Sequence, residues 1–195
     1  MPPKIKVTKE NIIETALMLV RSSGAASLNA RSVAAALNCS TQPVFFNFET
    51  MEQLQKAVIE AAYGKYYGYL KAEAESGNYP KYKSYGMAYV RFAMEEKELF
   101  KLLFMRDRSQ EDISIPVDFD EAVEMIMKYN DVTRDEATLM HLECWSCVHG
   151  IATMIATSFL TLEWELVNNM ITDVYQGIRQ RRLSGENKND CNKNR

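Results

Sequence analysis

Four side chains able to bind a metal crowd into positions 141 to 149: His141, Cys144, Cys147 and His149. Imidazole and thiolate are ordinary zinc ligands, but a closed zinc site needs four of them converging from a loop or a second element. On one continuous helix the first three step round a single side at three-residue intervals, while His149 points roughly the other way. Convergence fails, so no metal is expected. A Cys144–Cys147 bridge fits disulfide geometry poorly at that spacing. With Cys39 and Cys191 distant in the chain, free thiols in a reducing, cytoplasmic setting are expected. Catalysis has no better footing. There are two His, no glycine-rich phosphate loop and no GxSxG or HExxH, and the pairs Glu95/Glu96 and Glu163/Glu165 read as solvated helix residues. Neither an enzyme nor a cofactor is expected.

The stretch LNARSVAAALNCSTQPVFFNFETMEQL, residues 28–54, offers hydrogen-bonding chemistry of another kind. Asn29 reads as an N-cap for a short helix, Arg31 to Leu37, with Val33, Ala34 and Leu37 inward. Asn38 suits a left-handed stop. Ser40 reads as the cap of a second short helix, Thr41 to Asn47, with Pro43 in its first turn and Val44 and Phe48 facing in. Thr50 with Gln53 reads as a capping box opening a third element. Two short crossing helices with small residues at the contact form a helix-turn-helix, whose second helix fits the major groove of DNA. A preceding helix, Thr8 to Ser23, buries Ile12, Ile13, Ala16, Leu17 and Val20 and ends at Gly24.

The same positions, Leu28, Asn29, Arg31, Val33, Ala34, Leu37, Asn38, Cys39, Ser40, Val44, Phe45, Asn47, Phe48, Met51 and Leu54, resemble the pattern of the TetR (tetracycline-repressor-like) family of bacterial regulators over about residues 8–60. Three positions depart from it. Phe45 stands where the family usually has Tyr, Asn47 where it often has His, and Met51 where Lys is common. Further on, Trp145-Ser-Cys-Val-His149-Gly150 resembles the "W…HG" signature of one class of C-terminal domain in that family. The resemblance implies an all-α protein with an N-terminal three-helix helix-turn-helix domain, residues 1–50, and a larger helical domain, 51–183, for ligand binding and dimerisation. A fourth helix from about residue 50 links the two.

Periodicity fills in the larger part. A helix runs to about Ser76 and breaks at Ser76–Pro80. Helices follow over Lys81–Glu96 and Lys97–Arg106, a loop over Asp107–Ile115, and another helix over Pro116–Asn130. Thr133 and Glu136 form a capping box for a helix to about Leu160. It carries two apolar seams, one through Leu142, Trp145, His149, Ala152, Ala156 and Phe159, the other through Met140, Cys144, Cys147, Ile151 and Met154. A last helix spans Glu163–Leu183. An element apolar on two sides suggests a homodimer through the last two helices, as in four-helix bundles. Gly150 is expected to permit close helix packing. Residues 184–195 lack an apolar face and read as a disordered tail.

The net charge of −3 is unevenly spread. Residues 1–60 hold six Lys/Arg against five Asp/Glu, residues 111–178 two against thirteen, and the end from Arg179 six against two. The acidic surplus therefore lies away from the helix-turn-helix, and few ionic phosphate contacts are expected. Lys4, Lys6 and Lys9 read either as an arm along a DNA backbone or as a solvated end. No run of eighteen apolar residues or apolar signal core argues for a membrane or an export signal.

The expected function is a ligand-responsive DNA-binding regulator, a homodimeric repressor on a pseudo-palindromic operator of double-stranded DNA. Asn29, Arg31, Ser40, Thr41, Gln42, Pro43, Phe45, Asn47 and Thr50 are its candidate DNA contacts. Tyr66, Tyr89, Phe92, Phe104, Trp145 and His149 are the candidates for a small hydrophobic or aromatic effector, although each ring reads more readily as core, and His149 at least as readily as a structural hydrogen-bonder. The alternative is a helical ligand- or protein-binding protein whose DNA binding is weakened or lost.

Overall fold

The computed structural model describes residues 7–109 and 117–183; the Lys4–Lys6 arm, most of the loop and the tail expected from the sequence lie outside them. Among the described residues the regular structure is helical: α1 Lys9–Ser23, a 3-10 turn Ala25–Ser27, α2 Ala30–Ala36, α3 Gln42–Asn47, α4 Met51–Ser76, α5 Lys81–Glu95, α6 Lys97–Phe104, α7 Val117–Tyr129, α8 Arg134–Ala156 and α9 Trp164–Leu183. None of these helices is long and apolar enough to cross a membrane. The chain divides into two compact units, residues 1–69 with 92–107, and residues 70–91 with 108–195.

In the first unit α1 packs on α2 and α6, and α2 on α3. The local chemistry explains the starts and stops. Thr8 accepts from the Asn11 N–H and Asn11 answers the cap backbone, completing a capping box at α1. Gly24, at φ 79°, ends the helix. The positive φ favours glycine there, and a Cβ would also lie 2.9 Å from Glu98 Oε2, which would have to swing aside. The core is a stripe along α4, Leu54, Val58, Ala62 and Tyr66 at four-residue spacing, with Ile12, Val20, Val33, Phe92, Leu99, Phe100 and Leu103 also buried. Arg21 donates from Nε to Glu96 Oε2 at 2.5 Å, and Glu96 is 3% exposed.

In the second unit α8 packs on α7 and α9. Thr133 and Glu136 form the expected reciprocal box at the start of α8. The helix stops at Ala156, four residues before the sequence suggested. Ser158 takes φ 57° and donates to Ile155 O, while Phe159 donates to Met154 O. That pair of bonds is a Schellman stop, which periodicity does not register. One α8 seam is interior (Met140, Cys144, Ile151), joined by Val148 and Ile155; the other exposes Leu142, Trp145 and Phe159 but buries Ala152 and Ala156. Gly150 meets nothing within 4 Å of a built Cβ, so it is not the close-packing glycine. Gly86 takes that role, with Val148 Cγ2 at 3.4 Å and Ile171 Cγ2 at 3.9 Å.

Several polar side chains of this unit are held by hydrogen bonds, although Glu73 Oε1 and Thr153 Oγ1 are buried without one. Asn130 donates to Ile126 O and to Tyr175 Oη and accepts from Arg179 Nε at 2.9 Å. Lys83 donates to Asn168 and Thr172, neither charged, and burial lowers its pKa. Glu73 accepts from Arg91 Nε at 2.9 Å, and the Arg91 guanidinium lies 4.2 Å from the Trp164 ring centroid.

Candidate nucleic-acid interface and effector-site residues

The helix-turn-helix is built by short-range bonds. Asn29 caps α2, its Oδ1 accepting from the Ser32 N–H at 3.0 Å while its Nδ2 donates to Ser27 O at 3.3 Å. Asn38 has the expected positive φ, 51°. The Asn38 N–H donates to Ala35 O and the Cys39 N–H to Ala34 O, so α2 ends in the same stop as α8. The start of α3 differs from the sequence reading. Its cap is Thr41, not Ser40, and no side chain accepts a capping bond. Thr41 already has helical dihedrals, φ −71° and ψ −14°. Pro43 falls in the first turn, where its missing N–H is not needed.

Val44 and Phe48 are buried, at 1% and 3%, and anchor α3. That anchoring turns the opposite face out: Gln42 is exposed, Phe45 is 48% exposed and Phe46 89%. Asn47 is half-buried and its Nδ2 donates to Pro43 O at 2.8 Å, so part of its amide is used inside the helix. Arg31 and Ser40 are exposed, and Thr41 and Pro43 half-buried. Thr50 accepts from the Gln53 N–H at 3.3 Å, but Gln53 Oε1 returns to the Glu49 N–H at 3.1 Å rather than to Thr50, so the expected box closes one residue early. Lys9 Nζ lies 5.2 Å from the Phe48 ring centroid.

Phe46, the most exposed ring of α3, is not among the residues singled out from the sequence. The signal was present. Residues two after Val44 and two before Phe48 lie about 200° round the helix from each, at 3.6 residues per turn. A phenyl there cannot share their inward face.

The six effector candidates separate into two trios. In the first unit Tyr66 packs on Phe92 at 5.4 Å between centroids and on Phe104 at 5.2 Å, and Phe92 lies 6.5 Å from Phe104. Phe92 has no exposed surface and Tyr66 only 7%, so these rings spend their area on one another. In the second unit Tyr89 Oη lies 2.8 Å from His149 Nδ1, and Trp145 stacks on the His149 ring at 5.0 Å and 13°. Trp145 keeps 42% of its surface exposed. Burial lowers the His149 pKa, favouring a neutral ring.

Both histidines have partners other than a metal. His141 Nδ1 lies 3.0 Å from Tyr82 Oη, and its ring sits edge-on to Phe119 at 4.8 Å. Burial lowers its pKa to about 4, and burial also raises the Cys144 thiol to about 11. Cys39, Cys144 and Cys147 are unbonded thiols; Cys191 lies outside the described residues. No group of three His, Cys, Asp or Glu among the described residues could hold an ion.

Comparison with known proteins agrees with this architecture. Residues 83–173 match the family model for the tetracyclin repressor-like C-terminal domain, a span that contains Trp145, His149 and Gly150. No curated protein matches the chain in sequence. Among solved structures, a TetR-like transcriptional regulator from Rhodococcus sp. RHA1 is similar at 14% identity, with TM-score 0.64 over 95% of this chain and 99% of that one. A protein with unknown function from the same source is similar at 19% identity, with TM-score 0.70 over 92% and 100%. A TetR variant from Acinetobacter baumannii AYE in complex with minocycline is similar at 15% identity, with TM-score 0.54 over 93% and 97%. Over residues 83–173 the chain thus carries a tetracyclin repressor-like C-terminal domain, and along nearly its whole length it shares the fold of TetR-like transcriptional regulators.

Proposed function

We propose that the chain is a cytoplasmic, homodimeric repressor that binds a pseudo-palindromic operator and is released by a small hydrophobic or aromatic effector. The observation that carries this reading is the orientation of α3. Its two anchors are buried and its Gln42–Phe45–Phe46 face meets solvent. Two such helices about 34–36 Å apart reach successive major grooves on one side of a duplex. Gln42, Phe45 and the remaining acceptor of Asn47 then face base edges, with Thr41 and Pro43 beside them at the groove wall. Arg31, Ser40 and Thr50 lie toward phosphates, and Asn29 holds α2 in place.

Dimerisation is supported by apolar surface on the last two helices and their connection. Leu139, Leu142 and Trp145 of α8, Phe159 and Leu160 after it, and Leu166 of α9 are between 41% and 75% exposed. Pairing α8 and α9 with their copies buries that surface. Effector binding is supported by the second trio, whose Trp145 ring stays open to solvent, and by the bound minocycline in the similar TetR variant. The Tyr89–His149–Trp145 trio already combines a hydroxyl, an imidazole and an open ring face. A coupling of about 1–3 kcal/mol between effector and operator gives a 5- to 150-fold response.

A binding protein of the same fold with weakened DNA recognition is the second reading. It is favoured by the absence of any charged side chain on α3 and by Met51 at the start of α4. Fluorescence anisotropy separates the two, using the full chain at low salt with labelled duplexes tiled across the gene's own upstream region. Selective binding lost in Gln42→Ala supports the repressor. Equal, weak binding to every duplex, unchanged by Gln42→Ala, supports the second reading.

A further inference from the structure

Phe46 is the most exposed large apolar side chain among the described residues, at 89%. Single exposed hydrophobes are common, but this one shares a face with Gln42, four residues before it on the same short helix. Neither α3 nor the turn before it, residues 38–41, contains Lys, Arg, Asp or Glu. The commonest specific contact in a major groove is Arg or Lys to guanine, and acidic side chains read cytosine. Neither contact is available from α3. The Gln42 amide matches the N6 and N7 of adenine, whereas a phenyl ring has one apolar partner on a base edge, the C5-methyl of thymine. Asn47 has no apolar group to set against a methyl, and one of its two amide N–H donors is engaged with Pro43 O.

We propose that Phe46 is a specificity-determining residue that packs on a thymine C5-methyl, so each half-site carries an A·T pair under Phe46 close to an A·T pair under Gln42. Four residues of helix span about 6 Å, and base pairs stack about 3.4 Å apart, which separates the two pairs by about two steps. This assignment rests on the DNA-binding reading above.

The test starts from a pool of duplexes with a randomised core, enriched on the full chain at low salt and sequenced. Enriched half-sites are expected to share a thymine at one fixed position. Replacing that thymine by deoxyuridine removes only the methyl and is expected to weaken binding about fourfold per half-site, the factor equivalent to about 0.8 kcal/mol for one buried carbon group. In Phe46→Ala the same replacement has no effect and the thymine enrichment disappears; Phe46→Leu keeps part of both. The ring touches solvent over most of its surface, so an unchanged thermal midpoint is expected for either variant. Enriched sites that bind equally with thymine or deoxyuridine at every position overturn the proposal and leave DNA binding standing. A pool that shows no enrichment overturns the DNA-binding reading itself.

Discussion

Arg21 of α1 reaches Glu96, the residue that caps α6, and the carboxylate it meets is almost wholly removed from water. The pair joins two segments 75 residues apart in sequence within one unit. Removing one partner of a buried ion pair leaves the other charge without compensation. Because the Arg21 side chain is half exposed, water replaces part of the lost contact. Arg21→Ala is expected to cost about 1–3 kcal/mol in urea unfolding. Arg21→Met combined with Glu96→Gln is expected to recover most of it, since no buried charge remains. A double variant as unstable as the single one contradicts this account.

Acid sensitivity follows from His141. Burial holds its folded pKa near 4, below the usual 6.5. Between those values the unfolded chain binds the proton and the folded chain does not, so stability is full above about pH 6.5 and falls as pH drops toward 4. The effect is at most about 3 kcal/mol. His149 shifts in the same direction and adds to it. His141→Gln leaves Tyr82 a hydrogen-bonding partner and removes one titrating ring. Unfolding midpoints of this variant between pH 7 and pH 5 are expected to fall less than those of the parent; equal slopes would remove His141 from the explanation.

Capping chemistry is legible in the sequence because it is local. Asn29, Asn38, Thr133 with Glu136, and Gly24 act within a few residues and stand where their types place them. What the sequence hides depends on three-dimensional neighbours. Ser40 and Thr41 are both good caps, and in the fold neither forms the bond, since the α3 start is held by its buried anchors Val44 and Phe48. Helical spacing marks Tyr66, Tyr89, Phe92 and Phe104 as apolar, but not which rings meet. Phe92 and Tyr89 are three residues apart on α5 and join different trios. Burial of Val148 rather than Trp145 on α8 is likewise invisible to a pattern with two apolar seams.

Salt dependence tests the role of Arg31, the exposed cation of α2. Loss of one phosphate contact reduces the slope of log K against log salt by about 0.9. Arg31→Ala is therefore expected to weaken all duplexes alike and flatten that slope, whereas Gln42→Ala is expected to lower selectivity with the slope intact. The measurement is anisotropy at three salt concentrations. If Arg31→Ala changes selectivity but not slope, the two roles are reversed.

Leu142 and Trp145 project from α8 at 42% exposure each. A carboxylate in the centre of an apolar interface is strongly disfavoured, so Leu142→Glu is expected to convert a dimer into a monomer in sedimentation velocity. The thermal midpoint is expected to become independent of protein concentration at the same time. An unchanged sedimentation coefficient would move the pairing surface elsewhere.

The neutrality of α3 bears on how this regulator could be retargeted. Exchanging Gln42 or Phe46 for other uncharged residues would alter which operators are chosen and leave the ionic part of the affinity untouched. Preference and grip would then be set by separate helices, and a lineage of such proteins could drift from one promoter to another without ever passing through a form that clings to all DNA.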